Sequence, residues 1–292
     1  MIGRLLNRVM DAQSPWTKPL GGAVHGLVHP LFQRLSWLRD LLTGRWLGHP
    51  LHAALTDVPI GILPLVTVFD VLGLAEAARI ATALGVLAMA GSAIAGFADF
   101  ADTDGRARDR ATLHATLMVI ALAGYLASLA IRINDPAGPL AVWIAVASLV
   151  VLLAGAYVGG DVVYVFGNMV SRHAFRGPGT KWITLEPAEL GPDGAIPVGR
   201  PVRAKLGVNG LVLVNDGTRI LALHDTCAHG GGPLSDGRLV DDQLECPWHY
   251  SRFELTTGHV RRGPSVFDQP AYEVRRRDDG GWEARRRPTG GG

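Results

Sequence analysis

Four apolar stretches, residues 53–74, 78–100, 111–131 and 140–160, approach or exceed the roughly 20 residues a helix needs to cross a bilayer. Residues 111–131 and 140–160 carry no Asp, Glu, Lys or Arg. The first contains Asp57 and Asp70, and the second has Arg79 and Asp99. The remainder of the 292 residues is a different material. Residues 1–179 hold 13 Lys and Arg with 11 Asp and Glu, whereas residues 180–292 hold 15 of each and both cysteines. A soluble domain following a four-span membrane domain is the expected plan. With 48% hydrophobic and 18% charged residues and a mean hydropathy of +0.21, disorder and a collagen-like fibre are excluded. Two cysteines exclude a disulfide scaffold and suit a reducing compartment. A net charge of +2 gives no reason to expect nucleic-acid binding.

Basic residues set the expected orientation. Arg4, Arg8, Lys18, Arg34, Arg39 and Arg45 precede the spans, Arg106, Arg108 and Arg110 separate the second from the third, and Arg172, Arg176 and Lys181 follow the fourth. The opposite loops offer only Arg79 and Arg132. The positive-inside rule then places both termini, and with them the C-terminal domain, on the cytoplasmic side of the inner membrane. Residues 1–11 lack the features of a secretory signal, and no twin-Arg precedes a span, so no export route is expected. Between residues 20 and 42, leucines and a valine recur every three or four positions. This predicts an amphipathic helix at the cytoplasmic interface or packed on the bundle, broken near Pro30. Pro59 and Pro64 allow a kink in the first span, and the pairs Ser92/Gly96 and Gly155/Gly159 allow close helix contact.

Ionisable side chains inside spans are expensive and mark candidate sites. Asp57 and Asp99, His114, Asp161 and the flanking His49, His52, Tyr164 and His173 all gather at the cytoplasmic end of an up-down-up-down bundle. The sequences His49-Pro50-Leu51-His52, Pro59-Ile60-Gly61, His114 and Gly159-Gly160-Asp161-Val162-Val163-Tyr164 resemble a bacterial four-helix membrane family of unassigned function, over roughly residues 48–170. From chemistry alone, His52 and His114 are candidates to hold haem b, since facing histidines in a bundle are one way to ligate haem iron. A quinone site, a proton relay through Asp57, Asp99 and Asp161, and plain hydrogen bonding between helix ends would use the same residues.

After Lys181 short strands broken by turns replace the long apolar runs: 181–185, 202–206, 211–214, 220–224, 243–246, 252–255, 271–275 and 282–285, with Asn215-Asp216-Gly217-Thr218 a hairpin turn. This predicts a small all-β barrel or sandwich. Within it, Cys227-Ala228-His229 is followed after sixteen residues by Cys246-Pro247-Trp248-His249. Two Cys-His pairs in turns beside Gly or Pro make a soft-ligand metal site. Zinc would accept two thiolates and two imidazoles, although its common finger order groups cysteine with cysteine.

The interleaved order, extended through Gly230-Gly231-Gly232-Pro233-Leu234 and Tyr250-Ser251-Arg252-Phe253, is similar to the Rieske iron–sulfur domain over about residues 181–287. The resemblance implies a [2Fe–2S] cluster with Cys227 and Cys246 on one iron and His229 and His249 on the other. Quinol-oxidising members carry two further bridging cysteines that this chain lacks. Tyr250 stands where the family usually has Gly, Ser251 matches a serine that donates to cluster sulfur in high-potential members, and Phe253 replaces their tyrosine. The resemblance is therefore to the ferredoxin-like members, and a missing donor implies a lower potential than the quinol-oxidising centres have.

Among the other histidines, His224 and His259 read as ordinary strand or turn residues, and His25 and His29 as interfacial polar positions. Arg275–Arg277 and Arg285–Arg287 suit either an acidic redox partner or a solvated surface. No 2-His-1-carboxylate motif and no Rossmann Gly-rich turn is legible, so neither a complete oxygenase nor direct hydride chemistry is expected. The sequence reading is a multidomain membrane protein: an amphipathic segment (1–47), an all-α four-span domain (48–170) and an all-β Rieske domain (181–287). It carries single electrons between redox partner proteins or quinone. The alternative is an oxidoreductase, or a subunit of one, whose bundle binds haem b or quinone and exchanges electrons with the cluster.

Overall fold

The computed structural model describes residues 2–174, 179 and 181–287. Arg176 and most of the Gly177-Pro178-Gly179 tether lie outside them. Two compact units result, one of Met1–Gly44 with Pro50–Asn168, the other of Arg45–His49 with Met169–Gly292.

The first unit is helical. Three helices, α1 (Ile2–Asp11), α2 (Ser14–Arg34) and α3 (Ser36–Thr43), precede α4 (Leu51–Val71), α5 (Ala75–Phe100), α6 (Gly105–Asn134) and α7 (Pro139–Tyr164). The last four are long and apolar enough to cross a membrane. The α4 helix runs through both Pro59 and Pro64. The expected break at Pro30 is displaced: α2 continues through Pro19 and Pro30 and stops at Leu35, whose φ of −101° and ψ of 55° leave helical space. A proline breaks a helix only where the bond it forfeits and its ring clash outweigh packing, and here Phe32 packs on Ala98 and Ala101 just beyond it. The same helix covers α6 closely, since a Cβ on Gly21 would lie 2.4 Å from the Thr112 hydroxyl. Leu20, Leu27 and Leu31 stay exposed on its outer side.

The four spans form two helical hairpins, α4 with α5 and α6 with α7, that meet chiefly through α5 and α6. Leu113-His114-Ala115 in α6 repeats Leu51-His52-Ala53 in α4 at a distance of 62 residues, and Arg132 follows Asp70 by the same 62. Two of these matched pairs, His52 with His114 and Asp70 with Arg132, come together. The His52 and His114 rings lie 6.2 Å apart, and Arg132 donates to both Asp70 oxygens at 2.8 and 2.6 Å. Equivalent positions of a repeat can touch only near a two-fold axis between the two copies, as in membrane folds built from parallel repeats.

The second unit carries the β-structure. Strands β1 (Ile183–Pro187), β2 (Pro201–Leu206), β3 (Asn209–Asn215), β4 (Ile220–His224), β9 (Ala271–Arg276) and β10 (Trp282–Arg286) close a barrel in the order β1-β10-β9-β4-β3-β2. A separate antiparallel sheet holds β5 (Arg238–Val240), β6 (Gln243–Glu245), β7 (Arg252–Glu254) and β8 (Val260–Arg262). The run Leu211-Val212-Leu213-Val214 is apolar throughout because both faces of β3 are covered. Leu211 and Leu213 join Leu206, Ala222 and Tyr272, while Val212 and Val214 pack with Leu234, Leu244 and Phe253 beneath the small sheet.

Arg132 is fully buried and Asp70 nearly so, with Ser128 Oγ and the Pro136 carbonyl also accepting from the guanidinium. Removing one partner of such a pair strands a buried charge and costs about 3–5 kcal/mol. Asp70→Asn and Arg132→Met should each lower the melting temperature of the detergent-solubilised protein by several degrees. Because the two positions are related by the repeat, the swap Asp70→Arg with Arg132→Asp should recover at least half of that loss.

Candidate metal centre

Two loops converge at one end of the small sheet. The first, residues 225–233, leaves β4; the second, residues 246–251, joins β6 to β7. Glycine lets them interlock: a Cβ on Gly232 would stand 2.9 Å from the Trp248 ring and 3.1 Å from Cys246 Sγ, and one on Gly230 would stand 3.4 Å from the His249 ring. The contact brings the four motif residues together. Cys227 and Cys246 are buried, and the rings of His229 and His249 lie 5.0 Å apart, nearly perpendicular. Two imidazoles each bonded at about 2 Å to one tetrahedral metal would sit about 5 Å apart, centre to centre.

The sulfurs sit in a nest of backbone N–H groups, those of His229 and Gly230 toward Cys227 and those of Trp248 and His249 toward Cys246. The two thiols share a hydrogen bond. It holds Cys246 down to about 7, while that bond and burial push Cys227 up. Two thiolates cannot stand side by side there without a cation, and amide donors around them are the environment a sulfur-bound metal cluster uses. Among the described residues, no three His, Cys, Asp or Glu side chains converge on one point. A cluster of two irons, each needing two protein ligands, fits that arrangement better than one zinc needing four.

Gln269, which sequence reading passed over, and His173, which it grouped with the ionisable residues of the bundle, hold the first loop. Gln269, buried just before β9, accepts from the Ala228 N–H at 2.8 Å and donates to the His224 and Thr226 carbonyls at 2.5 and 2.8 Å. His173 Nε2 donates to the same Thr226 carbonyl at 2.9 Å, and the Arg172 N–H donates to the Ala228 carbonyl at 3.2 Å. His224 is a packed interior residue: its Nδ1 accepts from the Thr226 N–H, and its ring lies 4.6 Å from that of His173. In the second loop Tyr250 takes a φ of +64°, the left-handed conformation that Gly would supply. Ser251 is fully buried, and its Oγ accepts from the Ser265 N–H. Phe253 fills the core below. Beside Cys246, buried Glu245 bonds Arg238 at 2.7 Å and Arg252 at 2.5 Å. Burial works against its charge, yet the two guanidiniums hold it below the usual carboxylate range.

The remaining candidates scatter. His259 pairs with Asp268 at the surface, and His25 stacks on His29, which donates to the Ala101 carbonyl. In the two arginine runs Arg275 meets Glu283, Arg277 meets Asp279 and Arg285 meets Glu273, and Arg275 and Arg285 stack on Trp182. Among the described residues, Asp57 is exposed, Asp161 is tied to Arg110 at 2.9 Å, and Asp99 is buried with no bond at its Oδ1. His52 and His114, by contrast, meet.

Known proteins bear on both units. A family model described as the Rieske [2Fe-2S] domain matches residues 186–273, and one described as a predicted membrane protein (DUF2231) matches residues 48–172. The ferredoxin component of the 2,4-dinitrotoluene dioxygenase system of Burkholderia sp. (strain RASC) is 35% identical over 80 residues, covering 27% of this chain and 77% of that protein. The ferredoxin component of biphenyl 2,3-dioxygenase from Rhodococcus jostii (strain RHA1) is 30% identical over 86 residues, covering 30% and 80%. A chain from the solved complex of reduced oxygenase and oxidized ferredoxin in carbazole 1,9a-dioxygenase is 28% identical, with a TM-score of 0.30, over 36% of this chain and 92% of that one.

Gln269→Leu would take a partner from the buried Ala228 N–H and the His224 carbonyl, at about 1–3 kcal/mol each, while the Thr226 carbonyl keeps its bond from His173. The variant should purify with less than half the wild-type iron and acid-labile sulfide and with a lowered melting temperature. Tyr250→Gly removes a left-handed side chain worth about 1 kcal/mol of strain, and should leave iron content unchanged while raising the unfolding midpoint.

Proposed function

The chain belongs to the Rieske [2Fe-2S] family, and we propose that it is a membrane-anchored, ferredoxin-like carrier of single electrons. The reading divides it into an amphipathic segment (1–47), a four-span anchor (48–170) and the cluster domain (181–287). Cys227 and Cys246 hold one iron, His229 and His249 the other. When bound, the cluster accepts and releases one electron at a time. The protein's part is to exclude water from the two cysteines, supply amide N–H groups to sulfur and fix the first loop through Gln269 and His173. The observation that carries the assignment is the meeting of two cysteines and two imidazoles on two interlocked loops, with 5.0 Å between the rings.

Several features favour a ferredoxin-like role over quinol oxidation. Cys227 and Cys246 are free thiols, and the chain has no other cysteines with which to bridge the loops. Phe253 offers no hydroxyl where a donor would raise the potential. The named relatives are ferredoxin components of dioxygenase systems, so a soluble or membrane-bound redox protein is the proposed partner class. The basic-residue count favours a cytoplasmic cluster domain at the inner membrane.

The test is a dithionite reduction of the purified full-length protein followed by electron paramagnetic resonance and a redox titration. The expected result is a rhombic Rieske signal, lost in Cys227→Ser and in His249→Ala. Its midpoint should fall near the lower end of the range of about −150 to +300 mV. One zinc per chain with no acid-labile sulfide would overturn the cluster, and a midpoint near the upper end would overturn the ferredoxin-like assignment.

A further inference from the structure

We propose that the bundle contains a second one-electron centre, a b-type haem whose iron is held by His52 of α4 and His114 of α6. This goes beyond the Rieske reading and does not rest on it. His52 Nδ1 donates to the Ser92 carbonyl of α5 at 2.8 Å, and His114 Nδ1 donates to the Gly155 carbonyl of α7 at 2.8 Å. Each bond places the ring proton on Nδ1, which leaves Nε2 as the basic nitrogen on the far side of the ring. A histidine fixed by its other nitrogen to a carbonyl is the arrangement found around metals.

Space has been cleared for both rings in the same way. A Cβ on Gly96 would stand 2.9 Å from His52 Cε1, and one on Gly159 would stand 2.8 Å from His114 Cε1 and Nδ1. The pairs Ser92/Gly96 and Gly155/Gly159 thus serve the histidines: the first member offers the carbonyl, the second the notch. The repeat builds this device twice and sets the two rings 6.2 Å apart and nearly perpendicular. Two imidazoles on opposite sides of one metal, each at a bond length of about 2 Å, need about that separation. A pair that merely tied helix ends together would not need both rings anchored outward to their own hairpins.

The identity of the metal follows from what is missing. Among the described residues, no third His, Cys, Asp or Glu joins the two histidines. Bare zinc or copper(II) asks for three or four protein ligands. Iron in a tetrapyrrole arrives with four nitrogens of its own and asks for two. Both residues keep some exposure, and α4 and α7 approach each other much less closely than the helices within either hairpin, so the α4–α7 side is where a macrocycle would enter. Taking up or giving up one electron changes only the iron between ferric and ferrous, with no bond broken.

The experiment titrates hemin into the full-length wild-type protein purified in detergent, and records the spectrum in both oxidation states. The expected result is one haem per chain with the sharp bands and resonance signal of low-spin, bis-histidine iron. His52→Ala and His114→Ala should each reduce binding at least tenfold. Gly159→Val, which keeps both histidines but displaces one ring, should do the same. His114→Gly should regain the low-spin spectrum on addition of imidazole, which a folding defect would not permit. The Rieske resonance is the folding control: each variant must retain it, and its absence from the wild type would count against the cluster assignment without touching the haem. Failure of the wild-type protein to give a low-spin spectrum overturns the proposal, as does haem retained equally in both alanine variants. Stoichiometric copper or zinc lost in both variants overturns the haem.

Discussion

A polar group in hydrocarbon without a partner costs several kcal/mol, and the arrangement of the bundle follows from where such groups find partners. Arg132 spends its guanidinium on Asp70, Ser128 Oγ and the Pro136 carbonyl at one end of the helices. Arg110 reaches Asp161 and Asp11 at the other. Ser128 donates to the Ala141 carbonyl between α6 and α7. Apolar side chains gain little by leaving lipid for protein, so these polar ties and close glycine contacts are what hold one helix against the next. Gly85 against Leu63 and Gly124 against Ser148 supply such contacts within the hairpins.

The β-unit solves a related problem in a different solvent. Its two thiols are removed from water and set side by side, which is unfavourable unless positive charge joins them. Amide N–H groups meet part of that demand, and a metal cluster meets the rest. The loops are held in place because Gln269 and His173 bond the His224 and Thr226 carbonyls and the Ala228 N–H, and Gly232 leaves no gap against Trp248. A site built this way binds and changes charge with little movement of its surroundings, which is what a fast one-electron carrier requires.

Much of this was legible in the residues because it rests on local pattern. The length of an apolar run gives four spans, and a Cys-X-His spacing repeated in a second turn gives the metal-binding loops. Long-range partners were not legible. Nothing adjacent to Gln269 marks it as the clasp of a loop 41 residues earlier, and Arg132 looked like a loop-flanking charge because its partner lies two helices away. Strands β5 and β8 were missed because neither buries a residue, whereas the equally short β6 and β7 each bury at least one, Leu244 and Phe253 among them. The internal repeat had a signal, Leu-His-Ala in both α4 and α6, but three residues become persuasive only when the partners 40 and 41 positions further on, Ser92 and Gly155, are seen to perform one task.

Tyr250 sharpens the contrast between the two kinds of legibility. A tyrosine in left-handed backbone is unfavourable by itself and survives only where neighbours fix the chain on both sides. Here the Cys246 carbonyl accepts from the Tyr250 N–H, and the Ser251 carbonyl accepts from the Cys246 N–H, closing the turn around the residue that departs from the family pattern. The turn is therefore set by the need to aim Cys246 and His249 at a common centre, not by the preference of position 250. The same logic governs the bundle, where Gly96 and Gly159 weaken their own helices in order to seat an imidazole. Where local preference loses to geometry, the geometry has a use, and the use we propose in both units is to hold a pair of imidazole rings at a separation suited to one metal.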